Sequence, residues 1–108
     1  MKLSEAIEVG IKESKKAKFP ILQGKNVLTR VSRNSESIYI CAMGFACIGY
    51  YSLDVEKCQN PDELETKILN SRFIPIEDRM IKYSIVEWND DLDMPVEKII
   101  DKLKSMGF

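Results

Sequence analysis

The stretch from Ile38 to Tyr51 contains no charged side chain, so a soluble chain has to bury most of it. At helical spacing, Ala42, Ala46 and Gly49 form a stripe of small residues. A bulkier stripe lies about 100° away on the same helix: Met43, Cys47 and Tyr50. Neighbours can pack on more than one side, and the pattern predicts a central apolar helix over about residues 38–51. The stretch is too short for a membrane span, which needs about 20 apolar residues.

Length and composition are typical of one globular domain, expected to cover residues 1–108. Hydrophobic side chains make up 44% of the chain and charged ones 31%. The first residues begin an amphipathic pattern and do not resemble the apolar region of a signal peptide. Cys41, Cys47 and Cys58 are odd in number and lack a framework spacing, which favours free thiols. We therefore expect a cytoplasmic protein that does not associate with membranes.

The two halves of the chain carry opposite charge although the net charge is −1. Residues 1–40 hold eight Lys/Arg and four Glu, whereas residues 41–108 hold eight Lys/Arg and thirteen Asp/Glu. This asymmetry can steer a partner or favour antiparallel self-association, within the limit of salt screening at about 8 Å. Solvated helix faces are the simpler interpretation.

Helical periodicity is clearest at the two ends of the chain. The first helix places one set of residues on its inward face: Leu3, Ala6, Ile7, Gly10, Ile11 and Ser14. We expect Ser4 to cap this helix and Phe19-Pro20 to end it. The last helix begins at Pro95 and directs Val96, Ile99, Ile100 and Leu103 inward. Gly107 suits the position after its end, with Phe108 folding back on the final turn.

The middle of the chain predicts further helices and one ambiguous segment. Residues 21–31 form either a short β-hairpin or an irregular loop. Asn60-Pro61 is a strong helix start, with Leu64 and Ile68 inward.

Residues 73–76 are then expected to form an extended link, because Pro75 disfavours the helical conformation before it. Ile81, Ile85 and Trp88 share a helical face that Asn89-Asp90-Asp91 should break, and Trp88 is expected to anchor the core against the central helix.

The chain has no histidine, and this excludes several kinds of site. A Ser-His-Asp or Cys-His catalytic arrangement and a His-containing zinc site cannot be built from these residues. Neither the phosphate-binding loop of nucleotide-dependent enzymes nor the dinucleotide-binding glycine pattern is present. The sequence therefore favours a protein that is not an enzyme.

Two clusters are candidates for small-ligand or metal binding. Cys41 lies near the start of the central helix, where the dipole would favour a thiolate, but apolar burial would oppose this and close packing is the simpler role. Asp90, Asp91 and Asp93 have a spacing suited to a hard cation, without the glycine and terminal Glu of an EF-hand loop. Turn and capping chemistry is the simpler interpretation of the acidic cluster.

A third candidate is the basic loop over residues 25–33, which contains Lys25, Arg30 and Arg33. Three cations can contact phosphate. However, the alternating aromatic residues of single-strand binding proteins are absent, and the sequence shows no pattern of a helix-turn-helix recognition helix. Nucleic-acid binding is therefore the weakest of the hypotheses.

Three short motifs carry a resemblance: Leu-Ser-Glu-Ala-Ile at Leu3–Ile7, Cys-Ala-x-Gly-x-Ala at Cys41–Ala46, and Trp-Asn-Asp at Trp88–Asp90. Together they resemble a group of small uncharacterised bacterial and phage proteins. The resemblance implies a compact helical unit with no assigned activity, cofactor or site residues. Met43 and Phe45 depart from the Leu and Ala of the group's motif.

We therefore predict a mainly α fold, a small single-domain bundle of four or five helices around the central helix. We also predict a non-enzymatic protein-interaction module of phage or mobile-element type, an accessory or inhibitor protein. Another protein is the expected partner, self-association is open, and no cofactor is expected. Small-ligand or metal binding through Cys41 or the Asp90, Asp91 and Asp93 loop is the alternative.

Overall fold

The computed structural model describes residues 1–71, 74, 76 and 78–108. That part of the chain contains five α-helices and a small three-stranded sheet, so the mainly α prediction is confirmed. The elements are, in order, α1 (Leu3–Ser14), β1 (Ile21–Gln23), β2 (Thr29–Val31), β3 (Ile38–Ile40), α2 (Ala42–Tyr50), α3 (Pro61–Asn70), α4 (Arg79–Val86) and α5 (Val96–Ser105). A π-helical turn, Glu87–Asp91, directly continues α4 and is called the π turn below.

The apolar stretch that begins at Ile38 divides into a strand and a helix. The prediction of one helix over 38–51 is wrong in its first turn, because Ile38–Ile40 forms β3 and α2 starts only at Ala42. Ile38 and Ile40 are fully buried while Tyr39 between them is half-buried, which is the alternation of a strand. The rest of the stretch is the central helix, and nearly all of α2 is buried.

The sheet has the strand order β1-β3-β2, so neither alternative for residues 21–31, a local hairpin or an irregular loop, describes them. β3 lies between β1 and β2, parallel to the first and antiparallel to the second. The middle position of a sheet must be apolar, and Ile38 and Ile40 meet that requirement better than either neighbouring strand. The local hairpin therefore joins β2 to β3, with Ser35 in the left-handed conformation at its turn (φ 56°).

Helices α1 and α2 cross at very short distance. A β-carbon at Gly10 would lie 1.8 Å from the Phe45 carbonyl oxygen, and one at Gly49 would lie 1.8 Å from the Ala6 carbonyl oxygen. Glycine at both positions is therefore a steric requirement of this crossing. The small-residue stripe of the central helix is covered by α1 of the same chain.

The predicted caps are confirmed at α3 and α5 but not at α1. The Glu63 amide donates to Asn60 Oδ1 at 3.0 Å at the start of α3. At the end of α5 the Phe108 amide donates to the Leu103 carbonyl at 2.8 Å, with Gly107 at φ 85°, which is a Schellman motif. Ser4 does not cap α1, because the helix already begins at Leu3 and Ser4 is buried within its first turn.

The region after α3 differs from its prediction in two ways. Asn89-Asp90-Asp91 does not break the fourth helix, which continues through the π turn. Trp88 packs against the core cluster but is only half-buried, with Lys102 Nζ of α5 5.3 Å from its ring centroid, so it lies at the edge of the core and not in its centre. Of the predicted link over 73–76, Phe73 and Pro75 lie outside the described residues.

One hydrophobic cluster joins all the helices and β3. The radius of gyration is 12.9 Å, close to the value of about 13 Å for a compact chain of this length. No helix in the described ranges is long and apolar enough to cross a membrane. The start of α2 therefore lies inside a packed unit, bordered by the sheet and by α4.

Candidate functional site

A pocket of about 280 Å³ lies beside the start of α2, between this helix, α4 and the loop that precedes β2. Its walls are mainly apolar: Val27, Leu28, Met43, Cys47, Ile85 and Val86. Met43 and Cys47 belong to the bulkier stripe that the sequence predicted on the central helix. Its polar groups come from five residues, among them one cation and one carboxylate: Asn26, Cys41, Lys82, Asn89 and Asp90.

Asn89 in the π turn is the buried polar centre of this region, with 2% of its surface exposed. Its Oδ1 accepts from the Ala42 amide at 3.1 Å and from Gln23 Nε2 at 2.9 Å. Its Nδ2 donates to the Gly24 carbonyl and to Asp90 Oδ1, both at 2.8 Å. The amide group therefore has four partners and uses both its donors and both its acceptor positions.

The contact with Ala42 replaces a missing cap. Cys41 stands at the N-cap position of α2, but its side chain makes no capping hydrogen bond. Asn89 satisfies one of the free amides at this helix start, from an element far along the chain. This role was not predicted from the sequence, although Asn89 continues the four-residue spacing of Ile81 and Ile85 on the buried face.

Gln23 at the end of β1 extends the same network. Its Nε2 donates to Asn89 and to the Met94 carbonyl, each at 2.9 Å. Its Oε1 accepts from the Val96 amide at 2.9 Å, at the first turn of α5. One strand residue thus fixes both the π turn and the start of the last helix, and no sequence pattern indicated it.

The three acidic residues proposed as cation ligands are held apart by other contacts. Asp90 Oδ1 accepts from the Asn26 amide at 2.9 Å as well as from Asn89. Asp93 forms an ion pair with Lys25 at 2.8 Å, and Asp91 is exposed. Within the described ranges, no three His, Cys, Asp or Glu residues are gathered as a metal would require. The acidic cluster is therefore turn chemistry in this structure.

The cysteine thiols are protonated at neutral pH. Burial raises the pKa of the half-buried Cys41 thiol, and this outweighs the amides of Gly44 and Met43, which lower it. Burial also raises the pKa of Cys47 to about 11. These two thiols form part of the pocket wall, whereas Cys58 is buried elsewhere and donates to the Asp54 carbonyl.

The basic loop does not form a single cationic surface. Lys25 is paired with Asp93. Arg30 lies over the ring of Tyr39 at 5.1 Å from its centroid, and Arg33 is exposed in the turn after β2. Two of the three cations are therefore engaged within the chain, which leaves little charge for a phosphate backbone.

Comparison of the chain with protein-family models, curated proteins and solved structures found no match. The resemblance to small phage proteins therefore stays a prediction.

Proposed function

We propose that this protein is a non-enzymatic protein-interaction module, in which the pocket beside α2 receives an apolar side chain of a partner protein. The observation that carries the proposal is the pocket itself, an apolar cavity of about 280 Å³ at the start of a buried helix. Partner proteins commonly bind by inserting one large side chain into a desolvated pocket of this kind.

The size and rim of the pocket support a side chain as its occupant. Its volume lies just below the range of about 300–1,000 Å³ found for sites of drug-sized molecules. Val27 and Val86 at its edge are 38% and 44% exposed, so apolar surface continues outward from the cavity. A partner that fills the pocket would also cover these side chains.

The chemistry of the pocket supports binding without catalysis. The Cys41 thiol has a raised pKa, and the chain has no histidine to act as its base. Asn89 and Asp90 are committed to hydrogen bonds that hold the π turn, the loop and α2 together. The polar groups therefore act to keep the pocket in shape.

The biological setting rests on the sequence. The motifs at Leu3–Ile7, Cys41–Ala46 and Trp88–Asp90 support an accessory or inhibitor protein of phage or mobile-element type. Three unpaired cysteines support a reducing compartment, and we propose the cytoplasm.

The proposal is tested by selecting binders from a displayed library of random peptides. We expect selected peptides to share one large apolar residue, because such a side chain matches the mainly apolar walls of the pocket. Val27→Trp places a large ring at the edge of the pocket and should weaken these peptides at least tenfold. Affinity is measured by isothermal titration calorimetry.

Leu69→Trp is the matched control, since Leu69 is 58% exposed on α3 and does not line the pocket. It should leave peptide affinity unchanged. Peptides without a common apolar residue, or peptides that bind Val27→Trp and wild type equally, would show that the pocket is not the site.

A small apolar ligand is the second candidate, because the pocket also brings together Cys41 and Asp90, two residues that the sequence singled out. A panel of small aromatic compounds would then raise the unfolding temperature of wild type but not of Val27→Trp. Stabilisation by such compounds in the absence of any selected peptide would favour this candidate. Metal and nucleic-acid binding gain no support from the described contacts.

A further inference from the structure

The outward side of α4 exposes large apolar side chains that the core does not use. Ile81 and Ile85 face the core, whereas Met80 and Tyr83 on the opposite side are each 69% exposed. Val86, 44% exposed, lies on the same side one turn later. An exposed apolar row of this kind is typical of a contact surface.

Opposite charges lie at the two ends of this row. Arg79, the first residue of α4, and Glu87, the first residue of the π turn, are both exposed on the outward side. They are eight residues apart, about 12 Å along a helix. Neither has an ion-pair partner in the part of the chain that the structure describes.

We propose that this face binds the same face of a second copy of the chain, with the two α4 helices antiparallel about a twofold axis at Tyr83. Side chains that can pair with one another lie at equal distances before and after Tyr83 in the sequence. Arg79 and Glu87 lie four positions on either side of it, and Met80 and Val86 lie three positions on either side. Each Arg79 then meets Glu87 of the second copy, and each Met80 meets its Val86.

The charge pattern selects this antiparallel arrangement. A parallel pair would place Arg79 against Arg79 and Glu87 against Glu87, which is repulsive at both ends. The antiparallel pair gives two attractive contacts and also opposes the helix dipoles. A surface that is complementary to itself favours binding of a second copy of the chain over binding of an unrelated protein.

The dimer is expected to be weak. The α4 helix has eight residues, and its exposed face is small beside the roughly 800 Å² per partner that a stable interface buries. We expect a dissociation constant of about 10 µM to 1 mM that rises with salt, because the two ion pairs are exposed.

The experiment is sedimentation equilibrium of the full chain up to about 1 mM protein, at low salt and at about 0.5 M salt. Wild type should show a reversible monomer–dimer equilibrium that weakens in salt. Arg79→Glu and Glu87→Arg should each raise the dissociation constant about tenfold, because each converts two attractive contacts into repulsive ones. An equimolar mixture of these two variants should dimerise again, since both contacts are then attractive.

Arg33→Glu and Glu36→Arg make the same charge changes in the exposed turn after β2 and should leave the dimer unaffected. Circular dichroism and unfolding temperature confirm that every variant is folded. The proposal is overturned if wild type stays monomeric at about 1 mM, or if the mixture of Arg79→Glu and Glu87→Arg does not recover dimer. Peptide binding in the pocket is measured separately, so failure of one proposal leaves the other intact.

Discussion

Asn89 is the single residue on which the shape of the pocket depends most. Its side chain contacts β1, the following loop and the start of α2, and each contact satisfies a polar group away from water. A buried amide with all four positions used stabilises one arrangement of its neighbours, because any other arrangement leaves donors or acceptors unpaired. Sequence reasoning assigned Asn89 to a turn, since its partners are distant in the chain.

Asn89→Leu should lower the free energy of unfolding by about 3 kcal/mol or more, because several buried polar partners lose their bonds at once. Urea denaturation measures the change. Asn70→Leu, at the exposed end of α3, should change it by less than about 0.5 kcal/mol. Similar effects of the two substitutions would show that the network does not stabilise the fold.

The cysteines give a prediction of pH dependence. Burial raises the pKa of Cys47 to about 11, above the value of about 8.5 for a free thiol. The unfolded chain therefore loses this proton first, so stability is full below about pH 8.5 and falls as the pH rises towards 11. The loss should reach up to about 3 kcal/mol, at about 1.4 kcal/mol for each unit by which the two pKa values differ.

Urea denaturation of wild type and Cys47→Ala at several pH values in reducing buffer tests this dependence. The variant starts from lower stability because of the cavity it creates, but its decline with pH should be shallower. Parallel declines would mean that other groups, such as the lysines, account for the whole effect.

At the scale of elements, the crossing of α1 and α2 follows from glycine. The sequence predicted a stripe of small residues on the central helix and an inward Gly10 on the first helix. It did not predict that the stripe packs against the helix that carries Gly10. The structure shows that the two helices meet at Gly10 and Gly49, where their backbones are in contact. The stripe is identifiable from local spacing, whereas the identity of its partner depends on contacts across the whole chain.

Gly49→Ala distinguishes the effect of packing on stability from the effect of helix propensity, because the two effects have opposite sign. Alanine in place of glycine stabilises an exposed helix by about 1 kcal/mol. Here the new methyl group would overlap the Ala6 carbonyl, and we expect a loss of about 3 kcal/mol or more in the free energy of unfolding. Thermal and urea unfolding measure it, and a stabilised variant would contradict the close crossing.

The sheet shows why strand boundaries were harder to predict. The alternation at Ile38, Tyr39 and Ile40 spans only three residues and is followed directly by an apolar helix. The two-residue period of the strand therefore cannot be separated from the 3.6-residue period of the helix. Of the two alternatives for residues 21–31, the hairpin does not form because β1 pairs with a strand beyond β2 in the sequence, and the irregular loop is wrong because both ends of the segment are strands. Local turn residues could not indicate that pairing.

At the scale of the whole molecule, contacts between distant segments assemble the site. Lys25 from the basic half pairs with Asp93 from the acidic half, and Glu8 pairs with Lys104. The first of these pairs follows the charge asymmetry of the sequence, whereas the second joins an acid of the basic half to a base of the acidic half. Cys41 and Asp90 were each named from the sequence, but their meeting at one pocket required the folded arrangement.

The pocket and the outward face of α4 are adjacent, because Val86 belongs to both. Because the second copy and a partner in the pocket would both cover Val86, we expect dimer formation and peptide binding to weaken each other.

The most direct measurement of the central claim is a two-dimensional amide NMR titration of the labelled protein with a selected peptide. The account predicts the largest shift changes at Val27, Met43 and Val86, which line the pocket, with smaller changes at Leu69 on α3. Val27→Trp should abolish these changes. Shifts centred on another surface, or shifts that Val27→Trp leaves intact, would contradict the assignment of the pocket as the binding site.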